Sequence, residues 1–289
     1  MCLLFFELND TNEPNAYQLV LVNVRDEYYT RPTQNAEFWS DHSDVIGGRD
    51  LLPGREGGTW LAMNKENRKI GVLLNILQPA SELDSGKLGR GFIVNDYVNG
   101  DDSHKTYLDT LSSQASSYNG FLMIAMEVSR QHSGLDASYF STHFNQPPTT
   151  VGNGIYGFGN SLDIHNPWPK VSHGKKRFES ILSGHRTTNT KEQLVEELFE
   201  MLGDKTLLPL DNQMLKQGQS FKIGNLERLS SVFVEIPETK YGSRTWTIIL
   251  VDGNGDVDYI ENTMKEPIQC GPQGVTSDWS LSNHSFSLS

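Results

Sequence analysis

Cysteine is scarce in this sequence, and its scarcity excludes the disulfide-rich class of small secreted proteins. The 289 residues contain only Cys2 and Cys270, which are too few to hold a chain of this size together by disulfide bonds. The default expectation is therefore a reducing, cytosolic-type compartment, with association with an organelle left open.

Long apolar runs and amino-terminal basic residues are also missing. The first apolar run, residues 2–6, ends at Glu7. A membrane-spanning helix needs about 20 apolar residues, and a signal peptide needs a basic start and a longer apolar stretch. The sequence therefore predicts neither a secretory signal nor a transmembrane segment.

Positive charge is in the minority. Lysine and arginine together number 24, aspartate and glutamate 36, and the net charge is −12 with no basic stripe along the chain. Nucleic acids and anionic membrane surfaces attract clustered positive charge. We therefore expect no nucleic-acid partner and no electrostatic attachment to an anionic membrane.

Motifs for metals and nucleotides are absent from the sequence as well. The eight histidines show no metal-binding spacing, and no Cys-x-x-Cys pair occurs. Gly89-Arg90-Gly91 is too short to be a dinucleotide fingerprint. Neither structural zinc nor a catalytic metal is expected.

The composition, with 36% hydrophobic and 21% charged residues, is typical of a globular protein. Apolar runs separated by turn residues predict an amino-terminal hairpin with Cys2 at its start, then a loop reaching Gly57-Gly58. The carboxy-terminal third is again rich in strand patterns, with a hairpin turn at residues 252–256. The predicted strands are residues 3–8, 17–24, 59–63, 70–74, 121–128, 232–236, 245–251 and 257–261.

Helical patterns occupy the middle of the chain. They fall at residues 92–98, 107–111, 180–183 and 194–202, and residues 132–150 are polar and expected to form an exposed excursion. Thr190 and Gln193 have the spacing of a capping box, and Gly203 is a stop signal. We predict one α+β domain over residues 1–266, two packed antiparallel sheets with helices outside, and a loosely held serine-rich tail over residues 267–289.

Cys2 has two interpretations. If Met1 is removed, Cys2 carries a thiol and a free α-amine with a pKa of about 7.7–8.0, so one residue supplies both a nucleophile and its base. Alternatively, Cys2 is a small buried hydrophobic residue at the start of a strand.

The stretch Arg25-Asp26-Glu27 ends the second predicted strand. Adjacent opposite charges at a strand end often form only a solvated corner. In the functional interpretation, Asp26 orients the Cys2 amine across the hairpin, and Arg25 pairs with an acid or binds an anion through two hydrogen bonds.

Other candidates are weaker when taken singly. The segment ending in Trp60, residues 57–60, allows the backbone to approach a site closely or simply forms a tight turn. Asn75 and Asn160 are either oxyanion donors or turn residues. Arg244 binds a carboxylate or is an exposed loop arginine. The candidate ligand-binding residues are Cys2, Arg25, Asp26, Glu27, Trp60, Arg90 and Arg244.

Several motifs in this order resemble the transport and Golgi organisation protein family, also called the NRDE family. The resemblance runs from Met1 to about Met264. It rests on Met1-Cys2 before an apolar strand, Val24-Arg25-Asp26-Glu27, Glu56-Gly57-Gly58-Thr59-Trp60-Leu61, Asn75-Ile76-Leu77-Gln78-Pro79, Gly89-Arg90-Gly91, Tyr118-Asn119-Gly120-Phe121, Tyr156-Gly157-Phe158-Gly159-Asn160 and the strand from Arg244 to Asp252.

Two features depart from the family pattern. Val24 stands where the family has the asparagine of its Asn-Arg-Asp-Glu signature, and Asn23 lies one position early. Neighbouring strand residues point to opposite faces, so Asn23 is not expected to replace that asparagine. Residues 132–148 also differ from the family's usual connection between strands and resemble an insertion.

The resemblance implies the αββα four-layer sandwich of the N-terminal nucleophile hydrolases. It implies Cys2 as the nucleophile with Asp26 near its amine, Asn75 and Asn160 at oxyanion positions, and Arg244 at the mouth of the cleft. Family members are associated with haem trafficking as chaperone-like carriers and with acyl-coenzyme A and lipid homeostasis. They are placed in the cytoplasm, at mitochondria and at the Golgi.

The resemblance thus implies a first function, a carrier that moves haem from haem-rich membranes or organelles to haem-accepting proteins. Arg25, Arg90 or Arg244 would hold the propionates, and Cys2 or a loop histidine would hold the iron. The alternative is a cysteine hydrolase or acyltransferase acting on an amide or an acyl-coenzyme A thioester. A third possibility, a scaffold in Golgi organisation, has no support from the residues themselves.

Overall fold

The computed structural model describes residues 2–11, 13–130, 134–143 and 146–288, and within them the chain forms sixteen strands and six α-helices. The strands are β1 (Cys2–Leu8), β2 (Tyr17–Tyr28), β3 (Thr33–Phe38), β4 (Val45–Asp50), β5 (Leu61–Asn64), β6 (Lys69–Asn75), β7 (Phe121–Val128), β8 (Leu135–Ser141), β9 (Thr149–Val151), β10 (Gly154–Phe158), β11 (Glu235–Ile236), β12 (Tyr241–Asp252), β13 (Asp256–Met264), β14 (Gln269–Gly271), β15 (Gly274–Thr276) and β16 (Trp279–Ser287). The helices are α1 (Gly91–Asn99), α2 (His104–Ser113), α3 (Pro169–Gly184), α4 (Lys191–Leu202), α5 (Asn212–Gln217) and α6 (Ile223–Arg228).

Two antiparallel sheets contain most of the strands. Sheet A has the order β10-β1-β2-β12-β13-β16, with β11 paired to β12. Sheet B has the order β3-β4-β5-β6-β7-β8-β9, and β14 pairs with β15 in a separate ribbon. The predicted amino-terminal hairpin is confirmed as β1 and β2, and the predicted turn at residues 252–256 is confirmed between β12 and β13.

Apolar side chains pack on both faces of each sheet. One cluster joins the inner faces of the two sheets, a second lies between sheet A and helices α3 to α5, and a third lies between sheet B and helices α1 and α2. Because β1 and β2 are covered on both faces, their sequences read as continuous apolar runs rather than as alternating patterns. The observed fold is the expected α+β arrangement of packed antiparallel sheets with flanking helices.

The predicted loop before Gly57 is wrong, because β3 and β4 occupy much of it. Glycine pairs normally indicate turns, but Gly47 and Gly48 lie within β4. A Cβ atom on Gly48 would lie 2.5 Å from the Trp60 ring, so this glycine allows the indole to pack against the strand.

The predicted exposed excursion at residues 132–150 is also wrong in its described part. It contains β8 and β9, and Ala137, Ser138 and Phe140 on β8 are buried. Polar residues suggested exposure here, but a polar group of β8 finds its hydrogen-bond partner inside the protein, since Ser138 Oγ lies 2.9 Å from Nδ1 of His104. His132 lies outside the described residues.

The predicted helices are confirmed in position, but their ends differ. The structure extends the short pattern at residues 180–183 to the whole of α3. Thr190 stands at the N-cap of α4 but makes no side-chain capping bond, so the predicted capping box is wrong. Gly203 ends α4, as predicted.

The serine-rich tail is not loosely held. Its strand β16 pairs with the full length of β13 and forms the edge of sheet A. Trp279 stacks on Trp246 with ring centroids 4.4 Å apart, and Phe286 packs edge-on against Phe38. The predicted strand at residues 232–236 is reduced to β11.

Candidate functional site

Cys2 lies opposite Arg25 in the antiparallel pairing of β1 and β2. Next to this pair, Nδ2 of Asn23 donates a 2.8 Å hydrogen bond to the backbone oxygen of Leu3. This bond joins the two strands one residue after Cys2. The side chain of Cys2 is almost fully buried, and burial raises the pKa of its thiol.

A cleft of about 720 Å³ opens over this end of the hairpin. Its wall combines charged side chains from β2, the segments around Arg55 and Arg90, and the end of β6. Seven predicted site residues line it, namely Cys2, Arg25, Asp26, Glu27, Trp60, Asn75 and Arg90.

Arg25 lines the cleft and has one buried hydrogen-bond donor without a partner among the described residues. Its Cζ lies 4.2 Å from the centre of the Trp60 ring, and its Nη2 lies 3.8 Å from Oε2 of Glu27. The Nη1 atom is buried and has no hydrogen-bond partner in the part of the chain that the structure describes. Burial lowers the pKa of Arg25, although a guanidinium remains charged at neutral pH. A ligand oxygen would satisfy this donor.

The acidic residues near Arg25 are largely occupied by Arg31. Arg31 donates to both carboxylate oxygens of Asp50, at 3.1 and 2.5 Å. Its Nη1 also lies 3.4 Å from Oε2 of Glu27. Glu27 is therefore shared between two arginines, which leaves Arg25 only one distant carboxylate.

Three further cations stand at the cleft rim. Arg55, Lys87 and Arg90 line the cleft, and none of them forms an ion pair with a carboxylate among the described residues. Arg90 donates to the Gly120 backbone oxygen at 2.7 Å, and Lys87 donates to that of Tyr118 at 3.2 Å. Burial, together with repulsion from Arg55, lowers the pKa of Arg90 to about 10. Cations without acidic partners, in a chain with a net charge of −12, indicate a site for an anion.

Asp26 is buried beside Cys2 at the end of β2. Its Oδ1 accepts a 2.6 Å hydrogen bond from the Ser243 hydroxyl, and its backbone oxygen accepts one from the Tyr241 hydroxyl. Burial raises the pKa of Asp26, whereas the charge of Lys170 lowers it. Asp26 thus joins β2 to β12 and meets a lysine that lies on α3.

The two predicted asparagines differ in position. Asn75 lines the cleft, and its carboxamide makes no hydrogen bond with the described residues. Asn160 is fully buried outside the cleft wall, and its Nδ2 donates to the Asn75 backbone oxygen at 2.7 Å. Gln217 in turn donates to the Asn160 backbone oxygen at 2.8 Å and accepts a bond from Trp168. Asn160 therefore orients Asn75 from behind.

Arg244 is not at the mouth of the cleft. It is buried, and its Nη1 donates to the backbone oxygens of Tyr28 and Arg31 at 3.0 and 2.7 Å. Its Nη2 lies 3.5 Å from Glu266. Arg244 is thus a clamp on the backbone that follows β2, where it supports the strand carrying Arg25 and Asp26.

Several residues that belong to the site carry no signal in the sequence. Arg31 lies four residues after the Val24-Arg25-Asp26-Glu27 motif, and Arg55 and Lys87 stand in polar segments without a recognisable pattern. Lys170 follows Trp168-Pro169 at the start of a helix, where a lysine is ordinarily solvent-exposed. No sequence signal distinguishes it from the other lysines of the chain.

Comparison with known proteins identifies relatives over the whole chain. The family described as Transport and Golgi organisation 2 matches residues 1–266. The chain is 37% identical over 272 residues to the Transport and Golgi organization protein 2 of Drosophila melanogaster, which covers 91% of this chain and 92% of the fly protein. It is 33% identical over 289 residues to the mouse (Mus musculus) homolog and 32% identical over 289 residues to the human (Homo sapiens) homolog, covering 100% of this chain and 99% of each relative. In the described residues, no helix is long and apolar enough to cross a membrane.

Proposed function

Because this chain belongs to the Transport and Golgi organisation 2 family, we propose that its cleft binds an anionic acyl compound and transfers the acyl group through Cys2. The substrate class is an acyl-coenzyme A thioester or an anionic amide, and the reaction is hydrolysis or acyl transfer. The observation that carries the proposal is the buried Nη1 atom of Arg25. Arg25 lines the cleft and pairs with Cys2 across the hairpin, and this Nη1 atom has no hydrogen-bond partner within the described chain.

Cys2 supplies the nucleophile, and its own amine supplies the base. The raised pKa of the buried thiol means that it is protonated at neutral pH, so attack requires a proton acceptor. Removal of Met1 gives Cys2 an α-amine, which takes the thiol proton as Sγ bonds to the carbonyl carbon. The resulting ammonium returns the proton to the leaving thiolate or amine. Water then attacks the acyl-Cys2 thioester, breaks its C–S bond, and releases the acid and the free thiol.

Arg25 and Asn75 are the proposed donors to the developing oxyanion. Both line the cleft, and each has a side-chain donor without a partner among the described residues. Fixed donors stabilise the tetrahedral intermediate because they need no reorganisation when charge develops. The bond from Asn160 to the Asn75 backbone supports this placement by holding the end of β6.

The rim cations suit the anionic part of the substrate. Arg55, Lys87 and Arg90 offer charged donors that no carboxylate of the described chain occupies. Phosphate oxygens accept such bonds strongly, and a guanidinium can make two in parallel. This favours a phosphate-bearing acyl carrier such as coenzyme A over a neutral amide.

The layered arrangement supports an N-terminal nucleophile hydrolase type of fold as part of this proposal. Two antiparallel sheets lie between helices, and the nucleophile begins a strand inside one sheet. The relatives' names refer to Golgi organisation, and this supports a cytoplasmic protein associated with the Golgi. Association with mitochondria remains a prediction.

Haem carriage is the second candidate, and apolar side chains at the rim favour it. Leu88 and Phe92 line the cleft and are 58% and 47% exposed, beside the cations that would bind propionates. Such a surface suits a flat apolar ring with acidic edges. No histidine lines the cleft in the described ranges, so a haem held there would take its iron ligand from Cys2 or from outside the cleft wall.

The test is mass spectrometry of the purified protein after incubation with an acyl-coenzyme A. We expect an acyl adduct on the Cys2 peptide of protein that has lost Met1, together with release of free coenzyme A. Cys2→Ala should abolish both signals, and Arg25→Met should slow acylation roughly 10²-fold or more.

Matched variants separate the site from general effects. Cys270→Ala removes the other cysteine, and Arg186→Met removes an exposed arginine far from Cys2 in the sequence, so neither should change the rate. The acyl-transfer proposal would be refuted if neither an acyl adduct nor a released leaving group appeared with acyl-coenzyme A compounds of different acyl-chain lengths or with amide substrates. Saturable haem binding with transfer to an apo-haemoprotein, unaffected by Cys2→Ala, would then favour the carrier.

A further inference from the structure

Lys170 is a buried cation that the proposed chemistry has not used. It is the second residue of α3, and its side chain is 0% exposed. Its Nζ has no hydrogen-bond partner in the described parts of the chain, and it lies 5.8 Å from the centre of the Trp168 ring. An ammonium without hydrogen bonds in a protein interior is strongly unfavourable unless an opposite charge compensates for it.

The position in the helix adds to this cost. The amino-terminal turn of a helix carries a partial positive charge, which disfavours a lysine there. Acidic or neutral residues are the ones favoured at this position of a helix. Burial and the helix dipole therefore both oppose Lys170, and an interaction elsewhere must offset them.

The start of α3 packs directly over the strand that begins with Cys2. Leu3 and Phe5 of β1 share one apolar cluster with Trp168 and Val171. A Cβ atom on Gly159 would lie 2.7 Å from Val171 and 3.3 Å from Leu3, so these side chains meet at one point. Lys170 is thus held against the sheet. Val22 and Val24 of β2 belong to the same cluster, and because side chains alternate along a strand, Asp26 lies on this face of the sheet as well. Asp26 is the nearby charge that acts on Lys170 first, and the Cys2 thiol is the other titratable group that acts on it.

We propose that Lys170 is a positioning residue of the Cys2 centre, whose ammonium keeps the Asp26 side chain ionised beside the nucleophile. Ionised Asp26 then holds the α-amine of Cys2 in place for proton transfer, a step that rests on the proposed function. The Ser243 hydroxyl bonded to Asp26 fixes the orientation of the carboxylate.

The electrostatics of both groups agree with this assignment. Burial raises the pKa of Asp26, and among the surrounding charges Lys170 opposes that rise first, followed by the amino-terminal charge. Glu27 acts in the opposite direction. Burial lowers the pKa of Lys170, and Asp26 and Cys2 raise it. Each member of the pair therefore favours the charged form of the other.

The experiment measures the titration of Asp26 by ¹³C NMR of its carboxyl group, assigned with Asp26→Asn. Lys170→Met should raise the midpoint of Asp26 by at least about one pH unit, which is a tenfold change in its ionisation equilibrium. Lys170→Arg should restore most of the wild-type midpoint. An unchanged Asp26 midpoint in Lys170→Met would overturn the inference.

A reciprocal measurement covers the case in which Lys170→Met does not fold. In Asp26→Asn, the Lys170 ammonium, followed through its ¹³Cε signal, should titrate at a lower pH than in the wild type. An unchanged Lys170 midpoint there contradicts the pairing.

The kinetic readout separates this inference from the proposed function. In Lys170→Met, the acid limb of kcat/KM should move to higher pH together with Asp26. Turnover whose acid limb stays in place would refute the positioning role and leave acyl transfer intact. If Lys170→Met shifts the Asp26 midpoint but the wild-type protein shows no turnover, acyl transfer is refuted and the Asp26–Lys170 pairing stands.

Discussion

Glu261 shows at the scale of one residue how the inner core carries charge. This glutamate on β13 is 1% exposed, its Oε1 accepts a 2.8 Å bond from the Ala36 amide, and its Oε2 has no partner among the described residues. Burial raises its pKa from the usual 4.5 to about 7, and the bond from the Ala36 amide, followed by the charge of Arg25, only partly opposes this rise. Because the folded-state pKa is the higher one, its contribution to stability is complete below about pH 4.5 and is lost as the pH rises through 7.

We predict that Glu261→Gln stabilises the protein at alkaline pH and not at acidic pH. At roughly 1.4 kcal/mol per pH unit, the gap between the two pKa values corresponds to at most about 3.5 kcal/mol of unfolding free energy above pH 8. Urea denaturation from pH 4 to pH 9 would measure it. Glu196→Gln, an exposed change on α4, is the control and should show no pH-dependent difference. A constant effect of Glu261→Gln across this range would contradict the prediction.

The residue scale also sets the limits of site prediction. Cys2, Arg25 and Asp26 meet at one end of a hairpin because an apolar run, a turn and a second apolar run place them there, so local sequence suffices. Arg244 and Lys170 are different. Whether an arginine faces a cleft or clamps a backbone depends on which strand lies beside it, and β12 lies beside β2 across more than two hundred residues of chain.

At the scale of elements, α3 is tied to the segment after α4 by one carboxylate. Asp204 accepts bonds from His173 at 2.8 Å and Arg177 at 2.7 Å, both on α3, and its Oδ1 caps the Thr206 amide at 2.9 Å. Burial acts to raise the pKa of Asp204, but the bonds from Thr206, His173 and Arg177 outweigh it and hold that pKa well below its usual range. This contact fixes the helix that carries Lys170.

Asp204→Asn should therefore destabilise the protein by about 1–2 kcal/mol at pH 7, since bonds to a charged acceptor are weakened. A depressed pKa contributes stability above the unfolded value and loses it as the pH falls through the folded value. The difference in unfolding free energy between the variant and the wild type should thus narrow below pH 4. Denaturant melts at pH 7 and pH 3 provide the comparison, with exposed Glu200→Gln as control. A gap that widens in acid would refute this explanation.

Element boundaries were less predictable than element types. The capping box at Thr190 fails because a short 3₁₀ turn, Thr188–Thr190, precedes α4, and the Thr190 hydroxyl points back to the Thr187 oxygen instead. Strand β8 reads as an exposed segment because of its polar residues, but Ser138 bonds to His104 and Thr150 rather than to water. In both cases the partner that satisfies the polar group lies outside the local window.

At the scale of the whole molecule, the carboxy-terminal strand closes one edge of sheet A. The family match ends at residue 266, yet β16 pairs with β13, and Trp279 covers Trp246. Nε2 of His284 also lies 3.1 Å from the Ala36 oxygen, which joins the tail to sheet B. The tail therefore contributes to both sheets.

We predict that ending the chain at residue 266 lowers the midpoint of thermal unfolding by several degrees and promotes self-association. Truncation exposes the backbone of β13 as a new sheet edge, and unprotected edges pair with other chains. Calorimetry and size-exclusion chromatography with light scattering would report both effects. Leu281 lies on β16 and is 64% exposed. Leu281→Ser should therefore leave the unfolding midpoint and the association state unchanged. A truncated chain that keeps the wild-type midpoint would contradict this prediction and support a loosely held tail.

The sequence by itself determined the amino-terminal hairpin, the α+β class, the family and the meeting of Cys2 with Arg25 and Asp26. These follow from apolar periodicity, turn residues and short-range register, which are properties of neighbouring residues. Tertiary structure alone decided that Arg244 supports β2, that Asn160 stands behind Asn75, and that Lys170 is buried where α3 packs on sheet A. Those placements depend on the packing of sheets and helices distant in sequence, where burial and opposite charge, rather than local propensity, select the position of a polar side chain.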